Sequence, residues 1–266
     1  MLDERVAVLD RRMAEASEAA RLDYATKLDL SWIRHDSALE GVVYEITDLL
    51  RAMKGEAPTD AAAVPVYDEI RQNKTAIDTV RTLSARKKLK IDLDVLKDVY
   101  VCLAPDEVEG KKPPAYRKDI PVHRLYFHDI DAPDKIIPRL RQFVQWLNDD
   151  EVRETTHPVR LAAKAHFQLL HIYPFPKHSG KLARLVMNLI LLSHGYPPAV
   201  IHATERQRYY DALKASDNAL AGVVREALVS SLESAIRFFQ QAPPPPPPPP
   251  KPVSAKKASP RKAPKA

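Results

Sequence analysis

Lys177, Gly180, Lys181 and Arg184 crowd into the segment YPFPKHSGKLAR, residues 173–184. Pro174 and Pro176 remove amide donors and disfavour helix at the residues before them, so Tyr173 to Gly180 is a loop that opens into a helix at Ser179, Gly180 and Lys181. Unpaired amides at a helix N-terminus attract anions, and a glycine there lets a phosphate approach the backbone closely. Lys181 and Arg184 are three residues apart on one helical face, so both can reach an anion held at that end. The chemistry this spacing suits is phosphate binding. The alternative is a plain loop whose basic residues face solvent.

The elements that must position this loop read as helices. Leu2, Val6, Leu9 and Met13 form one stripe of a first helix, and Trp32, Leu39, Val43, Ile46 and Leu50 predict a second from about Leu30 to Met53, stopping before Gly55. Further helices are expected from Tyr67 to Lys90 and from Asp92 to Leu103. Pro113, Pro114 and Pro121 interrupt the pattern, and the alternation in VHRLYF predicts a short β-hairpin. Helices resume at Pro133. One from Pro158 to Ile172, with Thr156 as a candidate cap, leads into the loop, and a long apolar helix from Lys181 to His194 leads out of it, stopped by Gly195. Helices at about 203–216 and 219–240 complete the body.

Composition removes several function classes. The six glycines are scattered, so no glycine-rich cradle of the P-loop or dinucleotide type can be built. The formal charge of +6 is matched by the cations of residues 251–266, which leaves the body neutral and unlike a nucleic-acid surface. Cys102 is the only cysteine, excluding an intramolecular disulfide and a cysteine zinc cluster. With no apolar stretch of signal-peptide or membrane-spanning character, a cytoplasmic location is expected. Pro243 to Pro250 is expected to extend as polyproline II, ahead of a disordered lysine-rich end. Such a tail suits an acidic polymer or a proline-recognition domain, or is simply a solvated extension.

HPVRLAAKAHFQLLHIYPFPKHSGKLARLVMNLILLSHGYPP resembles the core of the Fic (Fido) family, whose loop is HPFx[D/E]GN[G/K]R followed two residues later by arginine. PPAYRKDIPV resembles its target-docking flap, here Tyr116 and Arg117, and ATERQRYYDAL resembles the helix after the core. The likeness spans roughly residues 30 to 240. It implies a mainly α, Fic-type helical bundle with the hairpin as flap. The expected division is 1–65 for the N-terminal helices, 66–240 for the core and 241–266 for the proline- and lysine-rich tail. It also implies transfer of AMP, or another phosphate-containing group, from ATP or a related nucleotide to a protein hydroxyl.

Residue by residue the sequence departs from that pattern. Tyr173 stands at the base position, Lys177 at the metal-binding acid, His178 at the first glycine, Ser179 at the asparagine and Lys181 at the first arginine, while Pro174, Phe175, Gly180 and Arg184 match. A tyrosine with an ordinary pKa of about 10 is a poor base at neutral pH. Charged Lys177 has no lone pair for a metal and would repel magnesium, though it can neutralise phosphate charge. Lys181 keeps a charge but loses the planar fork. His178, inside the loop, is the substitute base candidate; His171 would face away, and His166 fits a hydrogen-bonded core residue.

DSALEGVVYEI resembles the family's inhibitory helix, [S/T]xxxE[G/N], with Glu40 and Gly41 matching and Asp36 where the hydroxyl belongs. The resemblance implies that Glu40 pairs with Arg184 and obstructs the nucleotide; retention for structure alone stays open. The functional expectation is a transferase working by a modified route. Lys177, Ser179, Gly180, Lys181 and Arg184 would hold the donor, and Tyr173 or His178 would handle the proton. The alternatives are an inactive Fic-like module that binds a nucleotide or a protein, and a body carried as cargo by its basic tail.

Overall fold

The computed structural model describes residues 2–108, 113–121 and 127–242, and they are mainly helical. The helices are α1 (Leu2–Glu15), α2 (Glu18–Leu39), α3 (Ile46–Met53), α4 (Val64–Ser84), α5 (Leu93–Leu103), α6 (Ile136–Leu147), α7 (Asp150–Thr155), α8 (Pro158–Ile172), α9 (Ser179–Ser193), α10 (Arg206–Ala215) and α11 (Asp217–Gln241). Side-chain caps set several of the starts. Ser17 accepts from the Ala20 amide at 3.2 Å, Asp92 from Asp94 and Val95 at 3.1 and 3.0 Å, and Ser216 from Ala219 at 3.2 Å. At α8 the cap is His157, whose Nδ1 accepts from the Val159 amide at 3.3 Å, and not Thr156.

α8 and α9 form the centre of the bundle. α8 packs on α9, α11 and α6, and α9 also meets α4 and α5. Every residue of α9 from Ser179 to Leu191 is buried, which explains its continuous apolar run. Its one mid-helix amide, Asn188, is satisfied by the Ala199 backbone, accepting at 2.8 Å and donating at 3.4 Å. The first helix presents its expected stripe: Leu9 is buried, and Leu2, Val6 and Met13 pack against the core.

The single helix expected from Leu30 to Met53 is two helices. α2 stops at Leu39, Glu40 caps it, and Gly41 takes φ +91°, a left-handed conformation that glycine adopts without a steric penalty. Val43, counted on the apolar stripe, is 72% exposed. This break leaves Glu40 at a helix end, and α2 packs against α4.

Residues 113–121 contain no strand, and most of VHRLYF, at 122–126, lies outside the described residues, so the expected hairpin is not seen. The 113–121 segment is instead tied to the central loop by the Arg117 amide, which donates to Pro174 O at 2.9 Å. The polyproline run and basic end, 243–266, also lie outside the described residues. Among the described residues, no helix is long and apolar enough to cross a membrane.

Candidate active site

The loop between α8 and α9 is shaped by two non-glycine residues with positive φ, Tyr173 at 45° and His178 at 54°. Such conformations cost on the order of 1–3 kcal/mol and persist only where the surroundings impose them. His178 takes this geometry at the position where the resembling pattern has glycine, so the bend is kept with a costlier residue.

The surroundings that impose it are specific. Arg117, 5% exposed, donates from Nε to Tyr173 O at 2.6 Å, from Nη2 to Ile172 O at 3.2 Å and to Asp131 O, and from Nη1 to Asp119 O at 3.0 Å. Burial pulls its pKa below the usual arginine range without removing the charge. Phe175 is buried and stacks on Tyr100 with ring centroids 3.7 Å apart, and the Tyr116 ring lies tilted against it with centroids 5.4 Å apart. The Ser179 hydroxyl accepts from the Phe175 amide at 2.9 Å and donates to its carbonyl at 2.8 Å, closing the loop onto the start of α9. Tyr116 and Arg117, expected to dock a target, thus both touch the loop itself.

The Glu40 carboxylate lies at the head of α9. A Cβ added to Gly180 would lie 2.1 Å from Glu40 Oε1, so the Glu40 carboxylate sits directly over that glycine. Glu40 Oε1 accepts from Arg184 Nη2 at 2.9 Å. Asp36, one turn earlier on α2, takes Arg184 Nε at 2.5 Å, and its Oδ2 and main-chain oxygen take Nη2 at 3.4 and 3.3 Å. Burial alone would lower the Arg184 pKa; Asp36, then Tyr209 and Glu40, override it and raise it well above the ordinary value. Lys181, 2% exposed, is held by Glu69 of α4 at 2.8 Å. Burial pushes the Glu69 carboxyl up, but the Lys181 ammonium and its hydrogen bond, with Tyr44 and His178, together outweigh it and the net shift is downward.

The two base candidates sit differently. His178 is partly buried, and its pKa is lowered by burial and then by Lys181, so it is neutral at pH 7 and able to accept a proton. Tyr173 is buried, 2% exposed, with its ring 6.4 Å from that of His128. His171 turns back, with Nδ1 2.9 Å from Phe167 O. His166 is a core residue as expected, its Nε2 2.9 Å from the Tyr209 hydroxyl, which accepts from Arg184 Nη1 at 3.4 Å. Lys177 is exposed. It offers no lone pair while charged, and the nearby carboxylates Asp36, Glu40 and Glu69 are engaged with Arg184 and Lys181, so this donor set does not suit magnesium.

Sequence reasoning missed Glu69 and Tyr209 and gave Asp36 no role. Tyr209 was within reach, inside the segment resembling the helix after the core. Glu69 carries no local signal.

Buried His166 and half-buried His35 make stability pH-dependent. Burial, then nearby Arg184, pushes His166 down to about 3; burial, then the stacked His202 ring at 4.3 Å, pushes His35 down to about 4. The unfolded chain, with histidines near about 6.5, therefore binds more protons below that pH, and stability present above it is lost as pH falls. Thermal unfolding should show a falling Tm between about pH 6.5 and 5, before carboxylates protonate. His166→Gln should flatten that slope; an unaltered slope would assign the loss to other groups.

Comparison with known proteins matches residues 90–191 to the Fic/DOC family. The chain is 28% identical over 186 residues to the protein adenylyltransferase Fic of Drosophila erecta, covering 68% of this chain and 36% of that protein. It is 28% identical over 218 residues to the Culex quinquefasciatus protein of the same name, covering 79% and 42%. The chain therefore spans about two fifths of the length of these curated relatives. A Fic domain containing signaling protein from Bacteroides thetaiotaomicron shares the fold, with TM-score 0.77 at 19% identity over 91% of this chain and 98% of that one. Fic-1 (aa134–508) from C. elegans does so with TM-score 0.72 at 20% identity, covering 89% and 70%.

Proposed function

This chain carries a Fic (Fido) domain, and on that premise we propose that it transfers AMP or another phosphate-containing group from a nucleotide donor to a protein hydroxyl, and is held shut by Glu40. The observation that carries this reading is the Glu40 carboxylate lying over Gly180 while bound to Arg184. An internal anion occupies the position a phosphate would need. With Glu40 withdrawn, the amides at the start of α9 and the Arg184 guanidinium would hold phosphate oxygens, with Lys181 and exposed Lys177 adding charge. His178 would take the proton of the incoming hydroxyl, because it lies in the loop and is neutral at pH 7; the Lys181 ammonium beside it opposes a lasting positive charge on the ring. The helices before residue 66 deliver Glu40, and residues 66–240 form the transfer core. The target is a protein, in keeping with curated relatives named protein adenylyltransferase.

Glu40→Gly removes the competing carboxylate. A donor then gains at least one charge-assisted hydrogen bond, about 1.5–3 kcal/mol, and affinity should rise about 10- to 100-fold. Calorimetry with ATP and ADP reads binding, and labelled ATP with a cell lysate reads transfer. No change in either would remove the autoinhibitory role.

A second reading has support of its own. Tyr173, at the position of the family base, is buried with little access to solvent, which favours an inactive module that binds a nucleotide or a protein. Tight nucleotide binding by Glu40→Gly with no labelled protein would select it.

A further inference from the structure

Asp36 and Glu40 both hold Arg184, but Asp36 does so with more contacts and from within the helix. Asp36 lies within α2, 8% exposed, and grips the guanidinium with both its carboxylate and its main-chain oxygen. Its main-chain oxygen cannot move away while α2 is folded, so the helix itself keeps a partner on Arg184. Glu40 is the cap residue, followed by Gly41 at φ +91°, and is attached to Arg184 through Oε1. It can swing out while α2 stays folded.

Once Glu40 has gone, the buried charges at the seat cancel. Arg184 is balanced by Asp36 and Lys181 by Glu69. Among the described residues, what remains is a set of hydrogen-bond donors with no net positive charge, supplemented by solvent-exposed Lys177. The occupant that the fold itself supplies, the Glu40 carboxylate, carries a single negative charge. Exchanging it for a singly charged phosphate leaves the electrostatics unchanged, whereas a dianionic terminal phosphate adds a charge that no buried cation among the described residues compensates. Asp36 and Glu69, which could otherwise recruit a metal to neutralise it, are engaged with Arg184 and Lys181.

We propose that Asp36 tunes this site for a pyrophosphate diester, in which each phosphate carries one negative charge, in preference to a nucleoside triphosphate. The inference rests on the transferase reading above and names its donor class. In the transfer, the protein hydroxyl oxygen would form a bond to one phosphorus while the bridging P–O bond breaks. The hydroxyl proton goes to His178, and the other phosphate leaves as a monoester dianion, so charge and atoms balance.

Three adenosine ligands test it by calorimetry on Glu40→Gly protein without magnesium: ADP-ribose, a pyrophosphate diester, against ADP and ATP, which end in a dianionic phosphate. ADP-ribose should bind at least tenfold more tightly than either. Asp36→Asn in the same background keeps an oxygen for Arg184 Nε but removes the charge, and should narrow that ratio at least tenfold. Glu69→Gln, which unmasks Lys181 instead, should narrow it in the same direction, so a fold defect at position 36 cannot decide the result. ADP or ATP binding Glu40→Gly as tightly as ADP-ribose, or a ratio indifferent to both substitutions, overturns the proposal while leaving the transferase reading intact. Failure of all three ligands to bind would remove adenosine nucleotides as donors from the transferase reading and overturn this inference with it.

Discussion

Arg184→Ala should destabilise the protein by about 3–5 kcal/mol, because it strands two carboxylates in a site built around one guanidinium. Arg184 is 2% exposed, and its partners Asp36 at 2.5 Å, Glu40 at 2.9 Å and the Tyr209 hydroxyl at 3.4 Å would each lose a donor. In a domain of this size, a loss of that order lowers Tm by about 10 °C. The same substitution should abolish donor binding, so a stability loss alone would not separate scaffold from site. The triple variant Asp36→Asn, Glu40→Gln, Arg184→Met does separate them. It removes all three charges together, and should recover most of the lost stability while leaving binding absent. If Arg184→Ala melts like the wild type, the ion cluster does not hold α2 against α9 in solution.

The second large effect is expected at Arg117, which touches neither Lys181 nor Arg184 in the structure's hydrogen bonds. Its side chain donates to four carbonyls, those of Tyr173, Ile172, Asp119 and Asp131. Hydrogen bonds from a charged donor contribute about 1.5–3 kcal/mol each, less once water replaces some of them, so Arg117→Ala should lose roughly 3 kcal/mol or more. More tellingly, the restraint that holds Tyr173 at φ 45° would go with it. The loop would relax, donor affinity in the Glu40→Gly background should fall at least tenfold, and the segment around residues 113–132 should become sensitive to protease. Arg117→Lys should not rescue, because an ammonium cannot span carbonyls that a planar fork reaches. Unchanged urea stability together with unchanged protease resistance would refute the assignment of Arg117 as the positioning residue of the loop.

The local geometry of the site was legible in the sequence. Pro174 and Pro176 force a loop because they lack amide hydrogens, Gly180 opens the backbone, and the apolar run after Lys181 demands a buried helix; the structure shows these features at α8, the loop and α9. The core role of His166 and the pairing of Glu40 with Arg184 were expected too, the latter through resemblance and not through spacing. What tertiary structure alone decided is which charge meets which. Glu69 reaches Lys181 across 112 residues, and Asp36 turns a mismatch in a motif into a second counter-ion for Arg184. Arg117, expected in the target-docking flap, also donates to carbonyls of the loop. The helix drawn from Leu30 to Met53 breaks at Gly41, which places Glu40 at an end and not in mid-helix. Prolines and glycines constrain their own backbone and can be read one residue at a time. An ion pair depends on how α2 and α4 cross α9, and that is set by packing among side chains far apart in the chain.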